Sequence, residues 1–174
     1  MAHGYMGKVL RVDLSTSQMT TQSFSDEILR KYIGGSGLGA KILFDETDQH
    51  TDPLGPENLL IFMTGPVVGT KVLDSGRHHV ITKSPLTGIF GESNSGGTFG
   101  SGLKHAGFDG IIFVGKSKKP VYLFIDQGEA ELRDASQLWG RDTFEVDEML
   151  KTVHGNQIVT ASIGPAGERL VRYA

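Results

Sequence analysis

Arg77 and the run Asn94-Ser95-Gly96-Gly97 combine residue types suited to holding an anion. The run leads into a short helix predicted over Thr98–Ala106, so Ser95 and the glycines stand at a helix start. Helix starts present unpaired amides and a partial positive charge, and phosphate binds well there. Glycine admits a ligand to the backbone where a Cβ would exclude it. An arginine on a neighbouring strand adds a bidentate partner for the same anion. A plainer reading fits the same residues: Asn94 or Ser95 as helix cap, glycines for tight packing, Arg77 on a solvated face. Residue types alone leave both open.

The other constellations fall away on spacing. Gly34-Gly35-Ser36-Gly37-Leu38-Gly39-Ala40-Lys41 resembles a phosphate loop by eye. That loop needs its lysine directly after the last glycine, then Ser or Thr, with a strand in front. Here Ala40 intervenes, Ile42 follows, and the preceding pattern is helical. The dinucleotide fingerprint fails too, for want of a feeding strand and of the Gly-x-Gly-x-x-Gly spacing. His78 and His79 are adjacent on a strand and point to opposite faces, and the six histidines form no ligand set. Ser84 and Ser101 lack a nucleophile-elbow frame. Asp26-Glu27 and Asp147-Glu148 read as solvated helix faces, and Trp139 as a core or edge aromatic. No residue presents itself as a catalytic acid, base or nucleophile.

These residues need elements to position them. Val9–Leu14 reads as a strand, ending in the turn-like Ser15-Thr16-Ser17. Ser25 is a helix cap, with Asp26 and Glu27 in the first turn and helical spacing through Ile28, Leu29, Tyr32 and Ile33. The glycine run at Gly34 interrupts this helix, and Ala40–Phe44 resumes it. A loop from Asp45 to Glu57 leads to an apolar strand, Leu59–Met63, stopping at Thr64-Gly65-Pro66. Arg77–Thr82 is a strand, followed by a turn at Ser84–Gly88. After the Thr98–Ala106 helix, closed by Gly107, come a strand over Ile111–Val114 and another over Val121–Ile125. A turn at Asp126-Gln127-Gly128 joins the latter to Glu129–Arg133. Arg141–Val153 is an amphipathic helix through Phe144, Val146, Met149 and Leu150. Gln157–Ile163 reads as a strand, and Leu170–Ala174 as the start of one more.

Strand, helix, then strand ending in Gly-Pro occurs twice, at Val9 to Pro66 and at Val121 to Pro165. The expectation is therefore an α+β protein built from a duplicated unit of mixed β-sheets with a few helices. Repeat 1 covers about 1–118 and a partial, incomplete repeat 2 about 119–174. The first copy runs on for 49 residues after its Gly-Pro, to Gly115, whereas nine follow the second, so Ala174 reads as a truncation point.

Composition narrows the class. The 174 residues include 17 Lys plus Arg against 20 Asp plus Glu, a net charge of −3, so nucleic-acid binding by counterion release is not expected. With no cysteine, disulfides, thiolate metal sites and iron–sulfur ligation are excluded within this sequence. Met1–Leu10 lacks the apolar core of a signal peptide, and no run nears the ~20 apolar residues of a membrane span. A cytoplasmic protein without membrane contact is expected. The 24 glycines, about twice the usual share, suggest backbone brought close to something.

Gly7-Lys8-Val9-Leu10-Arg11-Val12-Asp13-Leu14-Ser15-Thr16 resembles the start of tungsten-dependent aldehyde ferredoxin oxidoreductases. The resemblance continues through Leu59 to Pro66, Thr82-Lys83-Ser84-Pro85-Leu86-Thr87-Gly88 and Asn94-Ser95-Gly96-Gly97. It runs on through Leu103 to Asp109, Arg133 to Ser136, Trp139-Gly140 and Ser162 to Glu168. It implies the family's N-terminal domain, a base for tungstopterin: a bis-pyranopterin carrying tungsten or molybdenum, with Mg²⁺. By resemblance Arg77 matches the arginine at a pterin phosphate, and Asn94 and Gly96 match backbone positions there, with Ser95 and Gly97 between and beside them. The Asn94 carbonyl would approach the Mg²⁺. The family's second Arg/Gly-rich phosphate segment would follow Ala174. Its 4Fe-4S cysteines and helical domains are likewise outside this sequence.

The expected function is therefore the cofactor-binding part of an oxidoreductase converting aldehydes to carboxylic acids with ferredoxin as acceptor, inactive alone. A fragment, a split subunit and a short product surviving on its own all fit. The alternatives are a non-catalytic remnant that self-associates into a homo-oligomer, and a subunit of a related tungsten oxidoreductase acting on another substrate.

Overall fold

The computed structural model describes residues 4–173. Its main feature is a six-stranded mixed sheet in the order β2-β1-β6-β3-β4-β5. The strands are β1 (Val9–Asp13), β2 (Gln18–Gln22), β3 (Leu60–Thr64), β4 (His78–Lys83), β5 (Phe90–Ser95) and β6 (Gly110–Val114). Only the β1–β6 pair is parallel; the remaining neighbours are antiparallel. A separate hairpin joins β7 (Val121–Asp126) to β8 (Glu129–Asp134). The architecture is α+β, as the sequence implies.

Strand alternation sends successive residues to two packed layers. One layer sets Val9, Ile61, Met63, Ile81 and Ile112 against α1 (Asp26–Tyr32) and α2 (Gly35–Glu46). The other sets Leu10, Val12 and Ile111 against Leu103 of α3 (Phe99–His105), Phe108 and apolar residues of the β7–β8 hairpin. Helix ends follow local chemistry. Ser25 Oγ accepts from the Ile28 amide. Asp142 and Glu145 close a capping box at α4 (Thr143–His154). At the end of α3 the Gly107 and Phe108 amides donate to the Lys104 and Leu103 carbonyls, with Gly107 at φ +98°.

Two buried lysines tie down irregular chain. Lys104 Nζ reaches Asp109 Oδ1 at 2.5 Å and the Gly4 carbonyl at 2.7 Å, while the Asp109 carboxylate accepts from the Met6 and Gly7 amides. Lys83 Nζ donates to the carbonyls of Asp48, Gln49 and Thr51, which fixes the loop after α2.

Several sequence expectations are corrected. The glycine run does not interrupt a helix: the break falls at Ile33 (φ +64°), and Gly35–Gly39 form the opening turns of α2. β2 and β5 went unread because both are polar edge strands without an apolar alternation. Gln157–Ile163 forms no strand, because no strand lies beside it to complete a ladder. Instead Thr160 Oγ1 donates to Asp147, tying the segment to α4. Gly164-Pro165 opens the short helix α5 (Pro165–Glu168), and residues 170–173 turn rather than extend; Ala174 lies outside the described residues. In α4 Phe144 points outward while Val146 is buried, and Trp139, 53% exposed, is an edge aromatic and not a core one. The strand–helix–strand order expected twice is found once among the described residues: β1 to β3 carries it, whereas no strand forms between α4 and Gly164-Pro165.

Candidate functional site

β4 and β5 carry the expected site residues. Their register sets His79 opposite Asn94 and His78 opposite Ser95. Arg77, one residue before β4, is exposed, and its Nη1 donates to Asn94 Oδ1. Arg77 and Asn94 are therefore brought together as a side-chain pair, leaving further guanidinium donors toward solvent. Gly97 is close behind. A Cβ on Gly76 would stand 2.5 Å from the Gly97 carbonyl, so the backbone leading into Arg77 runs against the chain leading into α3.

The helix start differs from expectation. Asn94 and Ser95 are strand residues, and α3 opens only at Phe99, with Thr98 making no side-chain cap. Phe99 packs beside His78 and Phe62 on the α3 layer, whereas His79 meets Ser36 on the α2 layer. The residues gathered at the sheet edge are thus an arginine–asparagine pair, followed by a glycine step, rather than a row of helix amides.

Glycine geometry separates fold requirements from open space. Gly39 faces Ile81, where a Cβ would meet Cδ1 at 2.6 Å, and Gly110 faces the Phe62 carbonyl at 2.6 Å. Those positions are glycine because the protein fills the space. Gly65 and Gly96 are different: neither has a left-handed φ, and among the described residues, chain neighbours aside, no atom stands within 4 Å of a Cβ built there. Nothing in the fold requires glycine at either. Gly96 lies two residues beyond the arginine's partner Asn94. Gly65 lines the same cleft as Arg77, an opening of about 470 Å³ that also includes Gly35, Ser36, Asp74 and His79.

Sequence reading missed a side-chain triangle of which two members, Ser36 and His79, line this cleft. Ser36 Oγ donates to Glu92 Oε1 at 2.6 Å and lies 3.0 Å from His79 Nδ1, and His79 Nδ1 is 2.6 Å from the same carboxylate. The Ser36 hydroxyl, and then His79, hold the Glu92 carboxyl below the usual carboxylate range. Both oxygens share one ring nitrogen, so this is no nucleophile–base–acid relay, in which hydroxyl and carboxylate take opposite nitrogens. The β4–β5 hairpin register was the available signal, hidden because β5 was not read as a strand. Among the described residues no group of three or more His, Cys, Asp or Glu side chains could hold a metal.

Fold and site together define an α+β domain with an Arg77–Asn94 pair and a Ser36–His79–Glu92 triangle along one side of its sheet. The chain belongs to the aldehyde ferredoxin oxidoreductase family: the family's N-terminal domain matches residues 9–174. A tungsten-containing aldehyde ferredoxin oxidoreductase of Pyrococcus horikoshii is 49% identical over 98% of this chain, which spans 28% of that protein. The WOR-like subunit of an aliphatic sulfonate oxidoreductase from Pyrococcus furiosus is 38% identical over 99% of the chain, 30% of its own length. The active site complex BamBC of benzoyl coenzyme A reductase, solved with 1,5-dienoyl-CoA, superposes over the whole chain with a TM-score of 0.97 and 40% identity, covering 27% of the matched chain. No helix among the described residues is long and apolar enough to cross a membrane.

Proposed function

We propose that this chain is the base on which an aldehyde ferredoxin oxidoreductase-type enzyme seats a bis-pyranopterin cofactor carrying tungsten or molybdenum. Arg77, Asn94 and the backbone of Ser95, Gly96 and Gly97 would hold a phosphate end, with the Asn94 carbonyl directed to Mg²⁺. The observation that carries this reading is the Arg77–Asn94 pair, with Gly65 lining the same cleft as Arg77 and the exposed Gly96 two residues beyond Asn94, both without a Cβ to bar a ligand. A cofactor phosphate would use that space and the charge beside it. The P. horikoshii relative is named as tungsten-containing, which supports the same assignment.

In this arrangement Asn94 Oδ1 accepts from one Arg77 nitrogen and so orients the guanidinium. The remaining donors are free to take phosphoryl oxygens in charge-assisted hydrogen bonds. Gly96 allows the oxygens to approach the main chain. When bound, the metal supplies the two-electron oxidation of an aldehyde to a carboxylic acid. In this reading the chain's own residues bind and orient. Turnover, 4Fe-4S electron transfer and delivery to ferredoxin would need the remainder of a complete, cytoplasmic enzyme, and the chain alone is expected to be inactive.

A second reading keeps the cofactor and changes the substrate. Relatives named for a sulfonate and for benzoyl coenzyme A carry the same domain, which supports a role for it that does not depend on the substrate. One experiment tests the common element. Arg77→Ala, carried in a complete enzyme of the family, is expected to lower tungsten or molybdenum content and pterin fluorescence several-fold in purified protein. Unchanged metal content with a folded variant refutes the assignment.

A further inference from the structure

β5, which delivers Asn94 and the glycine step, is an edge strand with a ladder on one side only. Residues Glu92 to Gly97 are all exposed. A strand so placed frays unless side chains hold it. Two contacts do so on the α2 side, Arg77 with Asn94 and the Ser36–His79–Glu92 triangle, and the second reaches from β5 across β4 to the first turn of α2. The backbone of α2 is fitted to the triangle. Gly35 has φ +49°, and a Cβ there would lie 2.9 Å from His79 Cδ2. With the Glu92 carboxylate accepting from both Ser36 Oγ and the His79 ring, the carboxylate cannot swing away without stranding two partners.

We propose that Ser36 and His79, acting through Glu92, are positioning residues for the anion cradle: they fix the edge strand so that Asn94 and Arg77 meet before a ligand arrives. The inference rests on the reading of Arg77 and Asn94 as that cradle. Released from the triangle, β5 would have to be ordered on binding, and ordering even one mobile side chain weakens association roughly 2- to 12-fold.

The sign of the effect makes it testable. Glu92 carries negative charge beside an anion site, so deleting the charge alone tightens anion binding. Losing the contacts weakens it. Glu92→Gln removes the charge but keeps an oxygen that can accept from Ser36 and His79; Glu92→Ala removes both. The probe is sulfate, titrated into the 174-residue chain at pH 7.5, with calorimetry for affinity and amide hydrogen exchange for β5. Wild type is expected to bind sulfate weakly. Glu92→Ala should bind it roughly three- to tenfold more weakly, with faster exchange at Ser93 and Ser95 and unchanged exchange in β1, β3 and β6. Glu92→Gln should bind at least as well as wild type. Ser36→Ala should fall between. Glu92→Ala binding as tightly as wild type or more so, while Arg77→Ala loses binding, overturns the positioning role alone. Sulfate affinity retained in Arg77→Ala, or absent from wild type, overturns the cradle reading and the positioning role with it.

Discussion

Gly96→Val separates the space a fold needs from the space a ligand needs. Among the described residues, chain neighbours aside, a Cβ at Gly96 meets no atom within 4 Å, and the residue does not have a left-handed φ. A valine there therefore changes stability by no more than about 0.5 kcal/mol, as surface substitutions do. For a domain of this size that is a shift of about 2 °C or less in thermal midpoint. Gly39→Ala is the matched control. Its new Cβ would lie 2.6 Å from Ile81 Cδ1, and overpacking of that kind costs roughly 1–3 kcal/mol, or roughly 2–12 °C. Cofactor loading should rank the two variants the other way. Valine at 96 keeps a phosphoryl oxygen from the main chain and removes at least one charge-assisted hydrogen bond, worth about 1.5–3 kcal/mol or roughly 10- to 150-fold in affinity. The assays are calorimetric melting of the 174-residue chain and metal content of a complete enzyme carrying the same change. A Gly96→Val protein that melts normally and loads normally refutes backbone approach at this position. One that melts far below wild type refutes the claim that the space is free.

Two further outcomes test the scaffold. Asp109→Ala strands the buried Lys104 ammonium and the Met6 and Gly7 amides; urea denaturation should show a loss of about 3–5 kcal/mol, as when one partner of a buried ion pair is removed. His78 is 6% exposed, its Nδ1 has no hydrogen-bond partner, and burial, then His79, push its pKa below the ordinary histidine value. The folded state therefore binds fewer protons here than the unfolded chain, so this residue's contribution is present above pH about 6.5 and declines as pH falls below it. His78→Phe, placed between Phe62 and Phe99, should flatten that acid limb of the stability profile; an unchanged slope assigns the acid sensitivity to other groups.

Legibility followed the physics of each element. Buried strands such as Leu60–Thr64 and Gly110–Val114 could be read because burial on both faces leaves a continuous apolar run. The Ser25 and Gly107 helix ends are written in single residues whose chemistry is local. β5, Phe-Gly-Glu-Ser-Asn-Ser, has no such signature, because its strand character comes from the β4 ladder and not from its own composition. Gln157–Ile163 is the converse. It looks like a strand, but a run of apolar residues becomes one only where a neighbour supplies hydrogen bonds. The same dependence on tertiary pairing hid the Ser36–His79–Glu92 triangle: its members are 43 and 13 residues apart along the chain, and only the β4–β5 pairing and the packing of α2 on β4 bring them together.

The glycine excess, conspicuous in the sequence, resolves into separate causes once each missing Cβ is located. Gly34 approaches the Thr64 carbonyl, Gly39 approaches Ile81 and Gly110 approaches the Phe62 carbonyl; these are contacts between elements, and they explain why a run resembling a phosphate loop is helix packing instead. Turn glycines such as Gly128 take left-handed conformations that other residues avoid. Neither cause reaches Gly65 or Gly96. Gly65 shares a cleft with the exposed Arg77, and Gly96 follows β5 two residues beyond that arginine's partner Asn94. On the proposed reading, these two positions stay glycine because a cofactor lies against their main chain.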